Sequence, residues 1–167
     1  MKRSEPNRTE SDVETMVNES LELAEIELRR FNVRLIRHIA SDLPVLLVDR
    51  ILIEQVLVNL LRNAAESIDA AQRQAPERSV ELRVTRSFYE GKKGVEFSVQ
   101  DTGNGIAPEV MARLYEAFYS TKADGMGIGL SLCRSIIESH RGRLTAENLY
   151  NGSTVSGCKF LFWLPLA

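Results

Sequence analysis

Residues 101–130 begin with Asp101-Thr-Gly-Asn-Gly105 and end with Asp124-Gly-Met-Gly-Ile-Gly-Leu130, so two glycine clusters enclose an irregular stretch. The first cluster follows Val95-Glu-Phe-Ser-Val-Gln100, whose alternation of apolar and polar residues predicts a strand. A carboxylate at the end of a strand can accept a hydrogen bond from the exocyclic amine of adenine, and the glycines let the backbone approach the ring. The alternative is a surface turn that begins at Asp101, since Asp-x-Gly is common in turns.

The second glycine cluster lies where an apolar helix is predicted to begin, at about Gly127. Glycines that lead into a helix N-terminus expose unpaired N–H groups and the positive end of the helix dipole, which suits a phosphate group. The cluster lacks the lysine that follows the last glycine of a P-loop, and it does not open a βαβ unit as in a dinucleotide-binding fold. A flexible loop is the alternative for this stretch taken alone.

Asn59 and Asn63 lie one helical turn apart in a leucine-rich segment that Asp49 is placed to cap. Asparagine is a poor helix former, so two of them on one face of a helix require a reason. An amide oxygen is a hard neutral ligand that suits Mg²⁺, whose other positions can be filled by water and phosphate oxygens. The alternative is a solvent-facing or capping role, and Glu66 is expected to be exposed.

Lys122 lies between the glycine clusters, in Phe118-Tyr-Ser-Thr-Lys122, where its ammonium group could reach a terminal phosphate. A solvated loop lysine is the alternative. His38 lies in a predicted strand, and His140 lies at the predicted end of a helix, where a cation is favoured. Neither has a nucleophile or a metal ligand as a neighbour in the sequence, so both are expected to have structural roles.

Helix and strand periodicities alternate irregularly along the chain. Helices are predicted over residues 13–30, 50–71, 108–115 and 127–140, and strands over residues 33–39, 44–48, 80–89, 95–100, 143–147 and 157–164. Residues 1–12 are polar, without an apolar period, and are expected to be a frayed end or a linker. This order lacks the regular rhythm of a doubly wound sheet, so the predicted fold class is α+β: a two-layer α/β sandwich with a mixed sheet covered on one face by helices.

The composition is that of an ordinary globular domain, with 167 residues, 44% hydrophobic and 26% charged. The net charge of −2 and the lack of a basic run argue against a nucleic-acid partner. No apolar stretch is long enough to span a bilayer, and the polar start, Met1-Lys-Arg-Ser-Glu-Pro6, does not look like a signal peptide.

Cys133 and Cys158 lack metal or disulfide-framework spacing, which predicts buried free thiols in a reducing compartment. A cytoplasmic location is expected, which includes the case of the cytosolic part of a membrane-bound sensor.

Together, these motifs resemble the ATP-binding catalytic domain of sensor histidine kinases, in the wider family shared with gyrase, Hsp90 and MutL. The resemblance covers residues 12–166 and implies the Bergerat ATP-binding fold. Its motifs are an asparagine box, Asn59-Leu-Leu-Arg-Asn63-Ala; a first glycine box, Asp101-Thr-Gly-Asn-Gly105; a phenylalanine box, Phe118-Tyr-Ser-Thr-Lys122; and a second glycine box, Gly125-Met-Gly-Ile-Gly-Leu-Ser131. The short segment between Pro108 and Gly125 is similar to that of the subgroup linked to PAS domains that sense nitrogen and oxygen.

The resemblance implies ATP and Mg²⁺ as cofactors and assigns roles to the residues of these motifs. Asn63 would be the Mg²⁺ ligand, Asn59 would lie near the phosphates, and Asp101 would bind the adenine amine. Asn59, Asn63 and Lys122 would be the catalytic residues. The full set at the nucleotide would be Asn59, Asn63, Asp101, Gly103, Gly105, Ile106, Thr121, Lys122, Gly125, Gly127, Ile128, Gly129, Leu130 and Cys158.

The resemblance also implies partners. The γ-phosphoryl group would go to a histidine of the phosphoacceptor and dimerisation domain of the same kinase, and a response regulator would be reached indirectly. Neither His38 nor His140 has the sequence context of that phosphoacceptor. Residues 12–167 are therefore predicted to be the catalytic domain, and residues 1–11 the remnant of, or linker from, an absent phosphoacceptor domain, so the isolated domain is expected to be monomeric.

The sequence departs from the family pattern at two places outside the glycine clusters. Cys158 replaces a Thr or Ala that is common beside the adenine, and Arg141-Gly142 replaces the usual Gly-Gly. Three other functions stay open: an ATP-hydrolysing clamp, a non-catalytic nucleotide-binding or docking module, and an anti-sigma-factor serine kinase of the same fold. The clamps use a glutamate one helical turn before the metal asparagine to activate water, a position held here by Asn59.

Overall fold

The computed structural model describes residues 6–113 and 126–166, with the side chains of residues 126–128 excepted. In chain order the elements are β1 (Thr9–Asp12), α1 (Val13–Arg30), β2 (Arg34–Ile39), β3 (Val45–Val48), α2 (Arg50–Ala70), β4 (Ser79–Tyr89), β5 (Lys92–Asp101), α3 (Pro108–Met111), α4 (Met126–Ser139), β6 (Arg143–Asn151) and β7 (Thr154–Pro165).

Five strands form the main sheet in the order β2-β4-β5-β7-β6. The β2–β4 pair is parallel and the other three pairs are antiparallel, so the sheet is mixed. In this register Asp101, the last residue of β5, lies between Val80 of β4 and Cys158 of β7. The loop that follows β5 therefore leaves the sheet from its centre.

The hydrophobic core lies between this sheet and the helices α1, α2 and α4. Alternate residues of the central strands are buried, as period-two patterning requires, and Phe97 of β5 stacks on Phe162 of β7 with ring centroids 4.5 Å apart. The broad apolar face of α2 is buried against them, including Ile53, Leu57 and Leu60. The predicted two-layer α/β sandwich, with a mixed sheet covered on one face by helices, is confirmed.

Both long helices near the N-terminus begin at an aspartate cap, as Asp side chains favour at that position. Asp12 accepts a hydrogen bond from the Thr15 N–H at 3.0 Å, and Asp49 accepts one from the Leu52 N–H at 3.3 Å. After α4, Arg141 adopts a left-handed φ of 63°, and the Gly142 N–H donates to the Ile137 carbonyl at 2.9 Å. Arginine thus takes the conformation that glycine usually supplies at a helix end.

Strand β1 was not predicted. Its residues Thr9–Asp12 pair antiparallel with β3 to form a separate two-stranded sheet, and Ser11 is buried. Just before it, Arg8 donates a hydrogen bond to the carbonyl of Ser139 at the end of α4. The expectation that this whole segment is frayed was wrong for residues 9–12, because pairing with a distant strand overrides their polar composition. None of the helices in the described ranges is long and apolar enough to cross a membrane.

Candidate functional site

Asp101 is held in a fixed orientation at the end of β5. It is only 5% exposed, and its Oδ1 accepts hydrogen bonds from the Gly103 N–H at 2.8 Å and the Cys158 N–H at 3.2 Å. The structure thus presents a buried, oriented acceptor at the predicted position.

The loop after β5 packs directly against α2. A Cβ atom at Gly103 would lie 2.0 Å from the Ser67 Oγ and 2.9 Å from the backbone carbon of Ser67, so only glycine fits there. Gly105 adopts a left-handed φ of 75°, and a Cβ atom there would lie 2.4 Å from a methyl carbon of Val155. The first glycine cluster therefore lets the loop backbone pack closely against α2 and β7.

The second glycine cluster also contacts α2, through Asn59. A Cβ atom at Gly129, in the first turns of α4, would lie 2.8 Å from the Asn59 Nδ2. Since Asn59, Asn63 and Ser67 are spaced four residues apart on α2, they form a row along one side of it. One end of this row contacts α4 and the other contacts Gly103, with Asn63 between them.

Asn63 is the middle member of that row. It is 8% exposed, and its Nδ2 has no hydrogen-bond partner within the described residues. A buried amide normally has its polar atoms paired, so this N–H donor is suited to a ligand that offers a hydrogen-bond acceptor. No cluster of three or more His, Cys, Asp or Glu side chains that could hold a metal occurs in residues 6–113 and 126–166. The amide oxygen of an asparagine is a ligand type that suits a magnesium ion together with phosphate and water oxygens.

Cys158 lies opposite Asp101 in the sheet and its backbone N–H donates to that carboxylate. Burial, followed by the nearby Asp101 charge, raises the pKa of its thiol to about 12. The side chain is therefore a neutral apolar group beside the carboxylate. The neighbouring Gly157 permits close contact between β7 and the end of β5, because a Cβ atom there would lie 2.0 Å from the Asp101 carbonyl oxygen.

Several predicted residues lie outside what the structure describes. The predictions for Thr121, Lys122 and Gly125 fall between residues 113 and 126, and Gly127 and Ile128 are described only as backbone of α4. Leu130 is 3% exposed and packs in the core below the first turns of α4. Ile106 is half-buried and packs against the edge of the same core.

Two polar side chains that hold the first glycine loop were missed. The Arg73 Nε donates to the Thr102 carbonyl at 2.6 Å, and Asn148 bonds both backbone groups of Ile106. Arg73 follows α2 and Asn148 lies within β6, so neither is near the loop in the sequence. Asparagine is uncommon within strands, and that was the one signal available for Asn148.

Both histidines have structural contacts with neighbouring side chains or backbone groups in the fold. His140 is buried; its Nε2 accepts a hydrogen bond from the Asp49 N–H at 3.0 Å, so its Nδ1 is the protonated nitrogen that faces the Ile136 carbonyl at 2.8 Å. This pattern requires the neutral ring, not the cation that a helix end would favour. His38 is part-exposed on β2, 3.6 Å from the Glu81 carboxylate.

An open groove of about 480 Å³ adjoins Asn59 between α1, α2 and α4. Three of its apolar side chains are largely exposed: Leu23 of α1 at 60%, Ile51 of α2 at 71% and Leu132 of α4 at 53%. One apolar residue at the surface is ordinary, but here three from different helices line one groove, together with Glu54, Gln55 and Arg62.

Comparisons with known proteins identify relatives of this chain. A family model described as histidine kinase-, DNA gyrase B-, and HSP90-like ATPase matches residues 48–167. The sensor protein FixL of Bradyrhizobium diazoefficiens is 38% identical over 165 residues, which cover 99% of this chain and 30% of FixL. Full-length ShkA in complex with AMPPNP matches with a TM-score of 0.77 at 28% identity, over 99% of this chain and 32% of ShkA.

The catalytic domain of the histidine kinase ThkA matches with a TM-score of 0.74 at 29% identity, over 95% of both chains. The chain therefore spans about a third or less of FixL and of ShkA, but nearly the whole of the ThkA catalytic domain.

Proposed function

Because the chain belongs to the histidine kinase-, DNA gyrase B- and HSP90-like ATPase family, we propose that it binds Mg²⁺-ATP and presents the γ-phosphoryl group to a histidine of a separate phosphoacceptor domain. The main support is the row formed by Asn59, Asn63 and Ser67 on α2, which contacts one glycine cluster at each end. The row is about 12 Å long, since an α-helix rises about 1.5 Å per residue. An elongated ligand with different chemistry at its two ends suits such a site.

The base of the nucleotide lies at the Asp101 end in this proposal. The Gly103 and Cys158 N–H groups hold the carboxylate in place, so it needs no reorganisation to accept a hydrogen bond from the adenine amine. Gly103 and Gly105 let the loop beside the ring pack closely on α2 and β7, and the neutral Cys158 thiol adds apolar surface. A carboxylate acceptor fixed in this orientation also favours bases that carry an amine at that position.

The phosphates lie at the other end, beside Asn59 and the first turn of α4. The N-terminal N–H groups of α4 and its dipole favour negative charge, with Gly129 allowing Asn59 to approach. Asn63 would hold the magnesium ion through its amide oxygen. The ion, when bound, would neutralise charge on the phosphate oxygens. Lys122 would supply a further positive charge at the terminal phosphate.

Transfer to an external histidine is favoured over hydrolysis by the residue type at position 59. A phosphoryl transfer site acts mainly by positioning and charge neutralisation, so amides and backbone N–H groups suffice when the partner brings the nucleophile. Hydrolysis requires a base that orients water, and Asn59 cannot accept a proton as a glutamate would. Glu54 is more than two helical turns before Asn63 and is bound to Arg50 at 3.2 Å.

The partners and setting belong to the same proposal. The acceptor is a phosphoacceptor and dimerisation domain of the same kinase, connected through residues 1–11, and a response regulator receives the phosphoryl group from it. The exposed Leu23, Ile51 and Leu132 beside Asn59 offer that domain an apolar surface next to the phosphates. The isolated domain is monomeric and works in the cytoplasm.

Calorimetry of ATP and ADP, with and without Mg²⁺, tests the binding step in the native chain and in Asp101→Asn. Loss of the charged acceptor should weaken both nucleotides by roughly 10- to 150-fold, or about 1.5–3 kcal/mol. Thermal unfolding of both proteins shows whether the variant is still folded.

The transfer step is tested by adding γ-labelled ATP and a separately purified phosphoacceptor domain. Label should appear on the acceptor's histidine only when both domains are present, while the domain alone should release little phosphate. A folded native chain that binds no nucleotide would contradict the proposal. Rapid ATP hydrolysis without an acceptor would favour the clamp function instead.

A further inference from the structure

We infer that Asn148 is a positioning residue for the adenine end of the site, acting through its hydrogen bonds to Ile106. The inference rests on the proposed function, since it concerns the pocket in which the base would lie. Asn148 belongs to β6, the edge strand of the main sheet, and lies opposite Cys158 in the register. It is outside both glycine clusters and outside the asparagine pair on α2.

The amide of Asn148 binds Ile106 as a neighbouring strand would. Its Oδ1 accepts from the Ile106 N–H at 2.7 Å, and its Nδ2 donates to the Ile106 carbonyl at 2.7 Å. A carboxamide has one acceptor and one donor side by side, so among side chains of this size only Asn offers both partners at once. The two bonds fix both the position and the orientation of the Ile106 peptide groups.

Gly105 and Asn148 also fit each other. A Cβ atom at Gly105 would lie 2.7 Å from the Asn148 Oδ1, and the left-handed φ of 75° turns the chain so that Ile106 faces this amide. Any larger residue at position 105 would push the amide away from Ile106. The glycine and the asparagine therefore act as one unit that seats the end of the loop.

The beginning of the loop is held independently. Arg73 binds the Thr102 and Gly103 carbonyls at 2.6 and 3.3 Å, and the Asp101 carboxylate is oriented by the Gly103 and Cys158 N–H groups. Loss of the Asn148 amide should therefore leave the acceptor carboxylate in place and release only the Gly105–Ile106 part. The pocket would keep its hydrogen-bond acceptor and lose one fixed wall around the base.

Release of the Gly105–Ile106 part alone should have a specific effect on nucleotide binding. A wall that contacts the base is used equally by ATP and ADP, whether or not Mg²⁺ is present. It also helps to select one base over another, because selectivity depends on a fixed pocket shape. A side chain that only stabilised the fold would change the unfolding temperature but would leave the affinity and base preference of the folded molecules unaltered.

The test compares the full chain with Asn148→Ala, Asn148→Asp and the control Glu147→Ala, whose exposed side chain is next on the same strand and points to the opposite face. Affinities for ATP, ADP and GTP are measured by calorimetry, with thermal unfolding of each protein. Asn148→Ala should weaken ATP and ADP by the same factor, roughly 5- to 30-fold for two lost hydrogen bonds, and should reduce the preference for ATP over GTP. Glu147→Ala should match the native chain.

Asn148→Asp keeps the shape and the acceptor, removes the donor and places a negative charge against the Ile106 carbonyl, so it should also weaken ATP and ADP equally. It decides the matter if Asn148→Ala does not fold. Binding of ATP by a folded variant within about twofold of the native value would overturn the inference while leaving the proposed function intact. A loss confined to ATP, or to samples containing Mg²⁺, would overturn it too, since that places the effect at the phosphates. A native chain that binds no nucleotide overturns the proposed function, and this inference with it.

Discussion

Asp49 connects three parts of the molecule through three different atoms. Its Oδ1 accepts from the Leu52 N–H and caps α2, its Oδ2 accepts from the Asn7 N–H at 2.9 Å, and its own N–H donates to the His140 Nε2. The start of α2, the first described residues and the end of α4 therefore meet at one residue. This junction lies at the start of α2 and the end of α4, whereas the contact between Asn59 and Gly129 joins the middle of α2 to the first turn of α4.

The two buried thiols make the stability of the protein sensitive to alkaline pH. Burial raises the pKa of both Cys133 and Cys158 to about 12, against an ordinary value of about 8.5. The unfolded chain loses these protons first as pH rises, so the stabilisation is complete below about pH 8.5 and is lost between about pH 8.5 and 12. Within this window the free energy of unfolding should fall by up to about 1.4 kcal/mol per pH unit for each thiol.

Urea unfolding at a series of pH values measures this slope. The double variant Cys133→Ala, Cys158→Ala is the control, because lysines and tyrosines titrate equally in both proteins. The variant should show a shallower decline above about pH 9. Equal slopes in the two proteins would contradict the prediction.

Because their pKa values are raised, the native thiols should also resist alkylation at neutral pH until the protein is unfolded.

At the scale of the elements, the sequence predicted the parts of the site that depend on local pattern. The spacing of Asn59 and Asn63 placed both on one side of α2, and the alternation before Asp101 placed that carboxylate at a strand end, as found. Ser67, the third member of the row on α2, has no local signal. It became apparent only once the glycine loop was seen to pack on it.

The contacts that the sequence could not predict join residues far apart in the chain. Arg73 reaches a loop 29 residues further on, Asn148 reaches back 42 residues, and Asp49 and His140 are 91 residues apart. Strand β1 also depends on a long-range pairing, since the polar residues Thr9–Asp12 become a strand by pairing with β3. Such pairings depend on the folded topology and not on the local composition of either partner.

The groove between α1, α2 and α4 should affect phosphoryl transfer more than nucleotide binding. Leu132→Glu would place a charge in the middle of its exposed apolar surface, beyond the row that contacts the glycine clusters. Burying that charge against an apolar partner is costly, so the rate of transfer to the phosphoacceptor domain should fall by at least about tenfold. The affinity for ATP should remain within about twofold of the native value.

Phe88→Glu is the matched control, because Phe88 is 69% exposed on β4 away from this groove. It should leave both the transfer rate and ATP affinity unchanged. If Leu132→Glu transfers at the native rate, the apolar surface beside Asn59 is not where the acceptor domain docks. If it weakens ATP binding as much as transfer, the side chain acts on the nucleotide site itself.

At the scale of the whole molecule, Arg8, which lies just before the small β1–β3 sheet, connects the first described residues to the end of α4. Arg8→Ala removes the hydrogen bond to the Ser139 carbonyl and should lower the free energy of unfolding by about 1 kcal/mol. Hydrogen exchange at the last turn of α4 should become faster. Glu10→Ala is the control, since Glu10 is exposed on β1. Unchanged exchange in Arg8→Ala would mean that this bond does not restrain α4.

The left-handed turn at Gly105 also affects how long a purified sample remains intact. Asn104 is exposed and is followed by that glycine, and Asn151 is followed by Gly152 at a hairpin tip. In Asn-Gly pairs the backbone nitrogen of the glycine attacks the side-chain carbonyl carbon of the asparagine and ammonia leaves, which forms a succinimide. Hydrolysis of the ring by water gives aspartate or isoaspartate. An isoaspartate at position 104 would lengthen the backbone between the bonds from Arg73 and from Asn148, so stored protein should lose ATP affinity as that product accumulates. Peptide mapping by mass spectrometry after alkaline storage would measure this, with the product at position 151 as the internal reference that leaves affinity unchanged.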